Sequence, residues 1–391
     1  MDRQRSSSHR KPLVALILAL GGFVSQTQLT HQVLTAMNYN RPFFVIYVTQ
    51  SVFTVSVLVH LLYLVITSKD SMYSLCKGLK ITIAQRLRSE SASPDIRFPY
   101  ANFFLADLTL TVGFTTPTLL WCVGMSLSST FPVVLAMLQA SYVIWNTNAF
   151  FAYLISVTVL GQQYHNNKFA AVVLATVGVM LVVYGGLKSE ESVLHVQSPS
   201  RLVGDLLALL ASVLYAGYQL FYDGFVQFPL VSPQSLDNFP SESTPLLEDY
   251  KDAIYPSPYG LESSFWTSMI GLCTISLLWI AFPILQGLGI EEFGFPTDGS
   301  TMLAILGAAL SGAAFMTGTM MLLASWGATT TAVTSLLTTV LVFLTDLLLG
   351  AAVGIWSIFG SFIIVAAFGM LVLADSSPVF MLAPTTQESN T

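Results

Sequence analysis

The residues best placed to do chemistry in this chain are polar side chains set inside long apolar runs. The first group is SQTQLTHQ, Ser25 to Gln32, which follows the apolar run Leu13 to Val24 and is too polar to face lipid. Ser25, Gln28 and Gln32 recur at helical spacing on one face, with Thr27 and His31 alongside. Hydroxyl, amide and imidazole groups in that order can bind a polar solute by hydrogen bonds; the competing reading is that they bond across to neighbouring helices. A second group, YAGYQLFYD from Tyr215 to Asp223, is also polar after an apolar start, with Tyr215, Tyr218 and Tyr222 in a stripe beside Gln219. These tyrosines could instead belong to an interfacial aromatic belt. Gln139 and Asn146 are seven residues apart and share a face, where they either line a cavity or join helices, and Asn148 follows them. Asp107 and Asp346 lie inside apolar runs and are candidates for coupling to protons or cations, with snorkelling to water as the alternative. Asp205 reads more simply as a favourable charge near a helix N-terminus.

Other chemistries find no support. No HExxH, DDxxD-like pair or plausible G-x-S-x-G is present, so no catalytic residue is assigned and an enzyme embedded in the membrane is not expected. Cys76, Cys122 and Cys273 are too widely spaced to indicate a disulfide framework or a zinc site, and no metal or cofactor is expected. Cys76, near a membrane exit, could be acylated, although a plain thiol is the simpler reading. No Lys or Arg lies deep in an apolar run, which weakens the case for a phosphate-bearing substrate. The stripe Thr331, Thr334, Thr338 and the fourth-residue repeats Ala304, Ala308, Gly312 and Ala208, Ser212, Ala216 read as helix packing.

The elements that must position these groups follow from composition. Only 9 % of the 391 residues are charged and 54 % are hydrophobic. A bilayer core of about 30 Å needs roughly 20 apolar residues per helix. The sequence divides into ten such spans: Leu13 to Met37, Pro42 to Ile66, Asn102 to Met125, Phe131 to Leu160, Lys168 to Leu187, Leu202 to Phe225, Ser263 to Leu285, Ser300 to Ala324, Ala328 to Gly350 and Gly354 to Asp375. Length and the lack of period-2 alternation favour helices over a barrel, giving an all-α polytopic membrane protein. Of the 15 Lys and Arg, placing the N-terminus in the cytosol puts twelve inside and only Arg41, Lys188 and Arg201 outside, so both termini are expected to be cytosolic. The basic start followed by Leu13 to Val24 can also be read as a cleavable secretory signal, which would leave nine spans. A net charge of −6 argues against nucleic acid as a partner.

The spans fall into two sets of five. LVALILALGGFV at Leu13 to Val24 aligns without gaps to LVGDLLALLASV at Leu202 to Val213, and the fifth and tenth spans carry matching mid-run glycines, Gly178 and Gly369. Consecutive repeats of an odd number of helices must be inverted, an architecture that holds substrate near the midplane between halves. The organisation expected is therefore a basic tail (1–12), a first repeat (13–187) containing a basic cytosolic loop (67–100), an external loop (188–201), a second repeat (202–375) and a cytosolic tail (376–391). The second repeat contains an acidic, Pro/Ser-rich loop (224–262) read as disordered. The basic loop either lies along anionic headgroups or is simply solvated. The acidic loop carries E-S-T-P-L-L, in which Glu242 precedes the pair Leu246 and Leu247, the pattern of an adaptor-read vacuolar or lysosomal sorting signal.

The arrangement resembles the drug/metabolite transporter superfamily, and locally the solute carrier 35 group, subfamily F. The likeness rests on YNRPFF at Tyr39 to Phe44, GDLLALLASVLYAGY at Gly204 to Tyr218 and TSLLTTVLVFLTDLLLG at Thr334 to Gly350, and covers essentially the whole membrane part. It implies a central cavity between repeats and secondary transport of a small metabolite by alternating access. Nucleotide-sugar transport at the Golgi or ER is an alternative cargo, but the FYNN and GALNK signatures of those transporters are absent. A non-transporting sensor or receptor is the alternative from another class. The partners expected are the lipid bilayer, a small-molecule substrate, protons or cations, a trafficking adaptor and a second copy of the chain, in a vacuolar, lysosomal or Golgi membrane.

Overall fold

The computed structural model describes residues 2–34, 37, 39, 41–68, 70–87, 98–128, 145, 147–161, 165–185, 199–227, 253–287, 289, 291–348 and 355–375. Regular structure among them is entirely helical. The elements are α1 (Asp2–Leu34), α2 (Pro42–Val52), a 3-10 turn (Phe53–Val55), α3 (Ser56–Ser68), α4 (Met72–Arg86), α5 (Tyr100–Ser128), α6 (Asn148–Thr158), α7 (Asn166–Gly185) and α8 (Pro199–Gln227). They continue with α9 (Leu261–Leu277), a second 3-10 turn (Leu278–Ile280), α10 (Ala281–Gly287), α11 (Gly299–Ser335), α12 (Leu337–Leu348) and α13 (Ile355–Asp375).

Among the described residues, six helical stretches are long and apolar enough to cross a membrane: Pro12–Thr30, Pro42–Ser68, Tyr100–Trp121, Leu206–Phe225, Leu261–Gly287 and Gly299–Leu341. The last has 43 residues. At 1.5 Å per residue such a stretch reaches about 65 Å, roughly twice a bilayer core. It is broken at Gly327, whose φ of 78° and ψ of 171° no helical residue adopts, at the boundary expected between the eighth and ninth spans. Shorter apolar helices, Asn148–Thr158, Asn166–Leu181 and Ile358–Met370, fall in the expected fourth, fifth and tenth spans.

The chain forms two compact units, Met1–Val123 with Gly217–Gly327 and Gly124–Ala216 with Ala328–Thr391. Neither coincides with a sequence half; each draws helices from both. In the first unit, small residues let helices meet backbone to backbone. A Cβ on Gly318 of α11 would stand 2.6 Å from the Ala19 nitrogen of α1, and one on Gly271 of α9 would stand 2.4 Å from the Thr54 nitrogen in the 3-10 turn after α2. Ala304, Ala308 and Gly312 are all buried. In the second unit, α7 and α13 pack along each other. Gly178 makes that crossing, with Gly360 O 2.9 Å from its notional Cβ, whereas Gly369, the glycine matched to it in sequence, faces open space. Ala149, Ala175, Ala332 and Ile364 fill the core of this unit.

The loop read from sequence as headgroup-bound or solvated contains a packed helix, which corrects the simpler of those expectations. In α4, Leu75, Leu79 and Ile83 recur every fourth residue and are buried, as is Leu87 beyond it, while Met72, Tyr73 and Cys76 stay exposed. Ile254 N donates to Ser74 O at 3.2 Å, and Tyr255 Oη donates to Gln85 Oε1. Within the acidic loop, 228–252 and with it Glu242, Leu246 and Leu247 lie outside the described residues.

The far end of this unit is closed by a second long-range contact. Pro42 suits the first turn of α2, but Arg41 gives its N-terminus no side-chain cap. Glu291 caps it from 248 residues away, accepting the Phe43 N–H at 2.9 Å on Oε2 and the Phe44 N–H at 3.0 Å on Oε1. Tyr39 Oη donates to Gly294 O at 2.7 Å beside it, and Phe44, Phe282, Phe293 and Phe295 pack around the joint. Burial pushes the Glu291 carboxyl above its ordinary range, and the two N–H bonds and Arg41 offset this only in part. A raised carboxyl holds its proton more tightly in the folded chain than in the unfolded one. Its stabilising contribution is complete below the ordinary value of about 4.3 and is lost as pH rises through the raised value. The unfolding midpoint of the natural chain minus that of Glu291→Gln is therefore expected to fall as pH is raised from acidic to neutral. A difference that stays constant across that window contradicts the assignment.

Candidate functional site

A buried polar track runs through the first unit between α2, α5 and α9. On α5, Asp107, Thr111 and Thr115 recur every fourth residue, so they share one face over about 12 Å of helix, and all three are buried. Thr115 Oγ1 donates to Gln50 Oε1 of α2 at 3.2 Å, and Thr274 Oγ1 of α9 donates to the same oxygen at 3.5 Å. Cys273, next to Thr274, lies beside Thr111 and Asp107. Gln50 is 2 % exposed and Asp107 6 %. Neither Gln50 Nε2 nor Asp107 Oδ1 has a hydrogen-bond partner among the described residues. Unmade bonds on buried polar atoms cost about 1–3 kcal/mol each, so the track is poised for a further donor or acceptor.

Local folding explains why these groups meet. The 3-10 turn after α2 interrupts the helix ladder, and Ser268 of α9 mends it, its Oγ accepting the Val57 N–H at 2.7 Å and donating to Phe53 O at 3.2 Å. Gly271 permits the close approach that brings Thr274 to Gln50. Beside the track, Gln26 and Thr49 converge on Gly312, with the Gln26 amide nitrogen 3.1 Å from a notional Cβ there.

Toward the other end of α9 several polar groups bond one another. His60 Nδ1 pairs with Ser264 Oγ at 2.6 Å, Tyr222 Oη donates to Ser263 Oγ at 3.3 Å, and Ser263 Oγ donates to Met320 O at 3.4 Å. Arg86 of α4 donates from Nε to Glu262 Oε1 at 3.1 Å.

Of the residues read from sequence as a substrate route, Ser25 and Gln32 are exposed and Thr27 and Gln28 half-buried. Tyr218 is buried, its ring against Gly113 and Phe114 of α5 and its hydroxyl donating to Met320 Sδ at 3.4 Å. Gln219 is buried, and neither amide atom has a partner among the described residues. Tyr215, in the second unit, is buried against Trp145 with ring centroids 4.9 Å apart. Asp107 is buried, not snorkelling to the surface. Gln139 and Asn146 lie outside the described residues, as do the side chains of His31, Asp205 and Asp346. Thr334 gives its hydroxyl to Thr330 O of its own helix and Thr338 to Ser335 O across the α11–α12 turn, whereas the buried Thr331 Oγ1 has no partner among the described residues.

Sequence reasoning missed Gln26, Gln50, Thr111, Thr115, Cys273 and Thr274. One signal was available: Gln50 is the sole amide side chain in Pro42 to Ile66, and the Asp107, Thr111, Thr115 spacing places three polar groups on one helical face.

No protein-family model matches the sequence, and no curated protein matches it. A solved structure described only as "Crystal structure of protein" matches over 94 % of this chain and 97 % of its own, with a TM-score of 0.57 at 12 % identity. A likeness at that identity establishes a shared fold and nothing about activity. Among the described residues, fold and site together define a helical protein with six stretches long and apolar enough to cross a membrane, and a buried polar track lies between three of its helices.

Proposed function

We propose that the chain is a secondary transporter that moves a small polar metabolite by alternating access, built as ten spans in two inverted five-helix repeats. The observation that carries this reading is the Gln50, Thr115, Thr274, Asp107 track: unsatisfied polar atoms persist within membrane-crossing helices chiefly where a solute or ion passes. The inverted architecture is supported by which spans touch. The first packs on the eighth (Gly22 and Gly318), the third on the sixth (Gly113 against Tyr218), the second on the seventh (Thr54 against Gly271) and the fifth on the tenth (Gly178 against Ile364). Exchanging the two halves turns the first of these pairs into the second and returns the other two to themselves, as a two-fold in the membrane requires.

The resemblance to the drug/metabolite transporter superfamily, solute carrier 35 subfamily F, supports the same reading. The grouping of loops by side is supported by contacts that join like with like: Arg86 meets Glu262, both on one side of that topology, and Tyr39 meets Gly294, both on the other; the cytosolic placement of the termini rests on the Lys and Arg distribution. Amides and hydroxyls without deep Lys or Arg favour a solute free of phosphate. Delivery to a vacuolar or lysosomal membrane through Glu242, Leu246 and Leu247 belongs to the same proposal.

The test is uptake of a metabolite panel into liposomes at two pH values. Gln50→Leu and Gln28→Leu are each expected to cut flux about tenfold or more, equivalent to about 1.4 kcal/mol on the rate-limiting barrier, while both variants still insert and elute as the natural chain does. Unchanged flux in Gln50→Leu removes the track from the route.

A further inference from the structure

Asp107 differs from the rest of the track because it can carry charge. An isolated carboxylate in an apolar interior is far costlier than an amide or hydroxyl, and it persists only when a cation compensates it or a proton removes the charge. The chain supplies no such cation. Its Lys and Arg lie outside the apolar runs or at their edges, and no basic side chain among the described residues pairs with Asp107.

The titratable groups on the packed helices are otherwise occupied. On α3, His60 bonds Ser264; on α9, Glu262 bonds Arg86; on α8, Tyr218 bonds Met320 and Tyr222 bonds Ser263. Asp223, also on α8, is buried close to Gly327. Cys273, a thiol on α9, stands beside Asp107.

A hard metal cation stripped of water would need about six oxygen ligands. Asp107 and Thr111 offer too few, the neighbouring sulfur is soft, and among the described residues no group of three or more His, Cys, Asp or Glu could hold a metal ion. A proton needs one free oxygen, and Asp107 Oδ1 is buried without a partner.

We propose that Asp107 is a reversible proton-binding site in the membrane-crossing part of α5, and that its proton is the ion coupled to substrate movement. The second clause rests on the transporter reading above. The step is a simple transfer: a hydronium ion on one side of the membrane gives its proton to the carboxylate, its O–H bond breaking as one forms on Asp107 and water being released, and water on the other side takes the proton to become hydronium when the track turns to face it.

Two experiments separate the clauses. The purified full chain is treated with dicyclohexylcarbodiimide, which attacks protonated carboxyls in apolar surroundings, and adducts are mapped by mass spectrometry. Adduct is expected on Asp107 at acidic pH, declining about tenfold per pH unit once the group ionises, with none at that position in Asp107→Asn. Proteoliposomes carrying a pH gradient are then given amino acids, nucleosides, nucleotide sugars and polyamines. Asp107→Asn is expected to lose gradient-driven accumulation, and Asp107→Glu, which restores the carboxyl, to keep it. No adduct on Asp107 at any pH overturns the proton site. Accumulation that survives in Asp107→Asn, or ignores the gradient, overturns the coupling but leaves a transporter. An adduct in a protein that moves nothing on the panel keeps the proton site and defeats the transporter reading.

Discussion

Arg86→Ala lowers the stability of the folded chain by about 2–4 kcal/mol, because it leaves Glu262 largely buried without its ion-pair partner. The two side chains are only 9 % and 13 % exposed, and a second contact, Arg86 Nη2 to Glu262 Oε2 at 3.4 Å, makes the pairing two-pronged. The pair ties α4 to the first turn of α9, the helix that carries Cys273 and Thr274 into the polar track. Thermal unfolding in detergent micelles measures the loss. Replacing both partners with apolar residues of similar size, Arg86→Met with Glu262→Leu, should recover most of it, since two buried charges are then removed together. A single-variant loss below about 1 kcal/mol would place the pair among solvent-screened ion pairs.

The second large effect is expected at neighbouring glycines of opposite surroundings. A Cβ on Gly22 would stand 2.5 Å from Phe315 N, 2.7 Å from Ser311 O and 2.9 Å from Phe315 Cα, all backbone atoms that no rotamer change can move aside. Gly22→Ala must therefore push α1 away from α11, at a cost of about 1–3 kcal/mol, and Gly22→Leu more. Gly21 has nothing within 4 Å of its Cβ position. Gly21→Ala should be neutral or stabilising by up to about 1 kcal/mol, through helix propensity alone. The ordering of the two unfolding midpoints is the measurement, and equal effects would mean that α1 and α11 do not cross there.

Much of the fold was legible because it depends on local properties. Apolar runs of membrane length foretold the long helices, α1, α5, α8 and α11 among them, and Gly327 falls in the short gap left between the eighth and ninth spans. α4 was not recognised, although Leu75, Leu79 and Ile83 recur at helical spacing, because five basic residues between Lys69 and Arg88 made the segment look solvated. The site was legible only in part. Asp107, Tyr218 and Gln219 stood out as polar groups in apolar surroundings, and all three are buried in the first unit. Gln50 was passed over because a single amide in an apolar run is as easily a helix-joining group as a binding one. Gly369, matched to Gly178 in the sequence, has different surroundings: Gly178 meets Gly360, whereas nothing stands near the Cβ position of Gly369.

What the amino-acid order settles alone is the solvent each segment prefers and hence the helical, membrane-crossing class of the protein, since hydropathy and charge belong to residues irrespective of their neighbours. Which polar groups share a pocket is a property of packing. Gln50 meets Thr115 and Thr274 across 65 and 224 residues, and Glu291 caps a helix that begins 249 residues earlier at Pro42. The cost of burying an amide or a carboxylate depends on the atoms around it, and those are chosen where small residues such as Gly271 and Gly318 let distant helices touch.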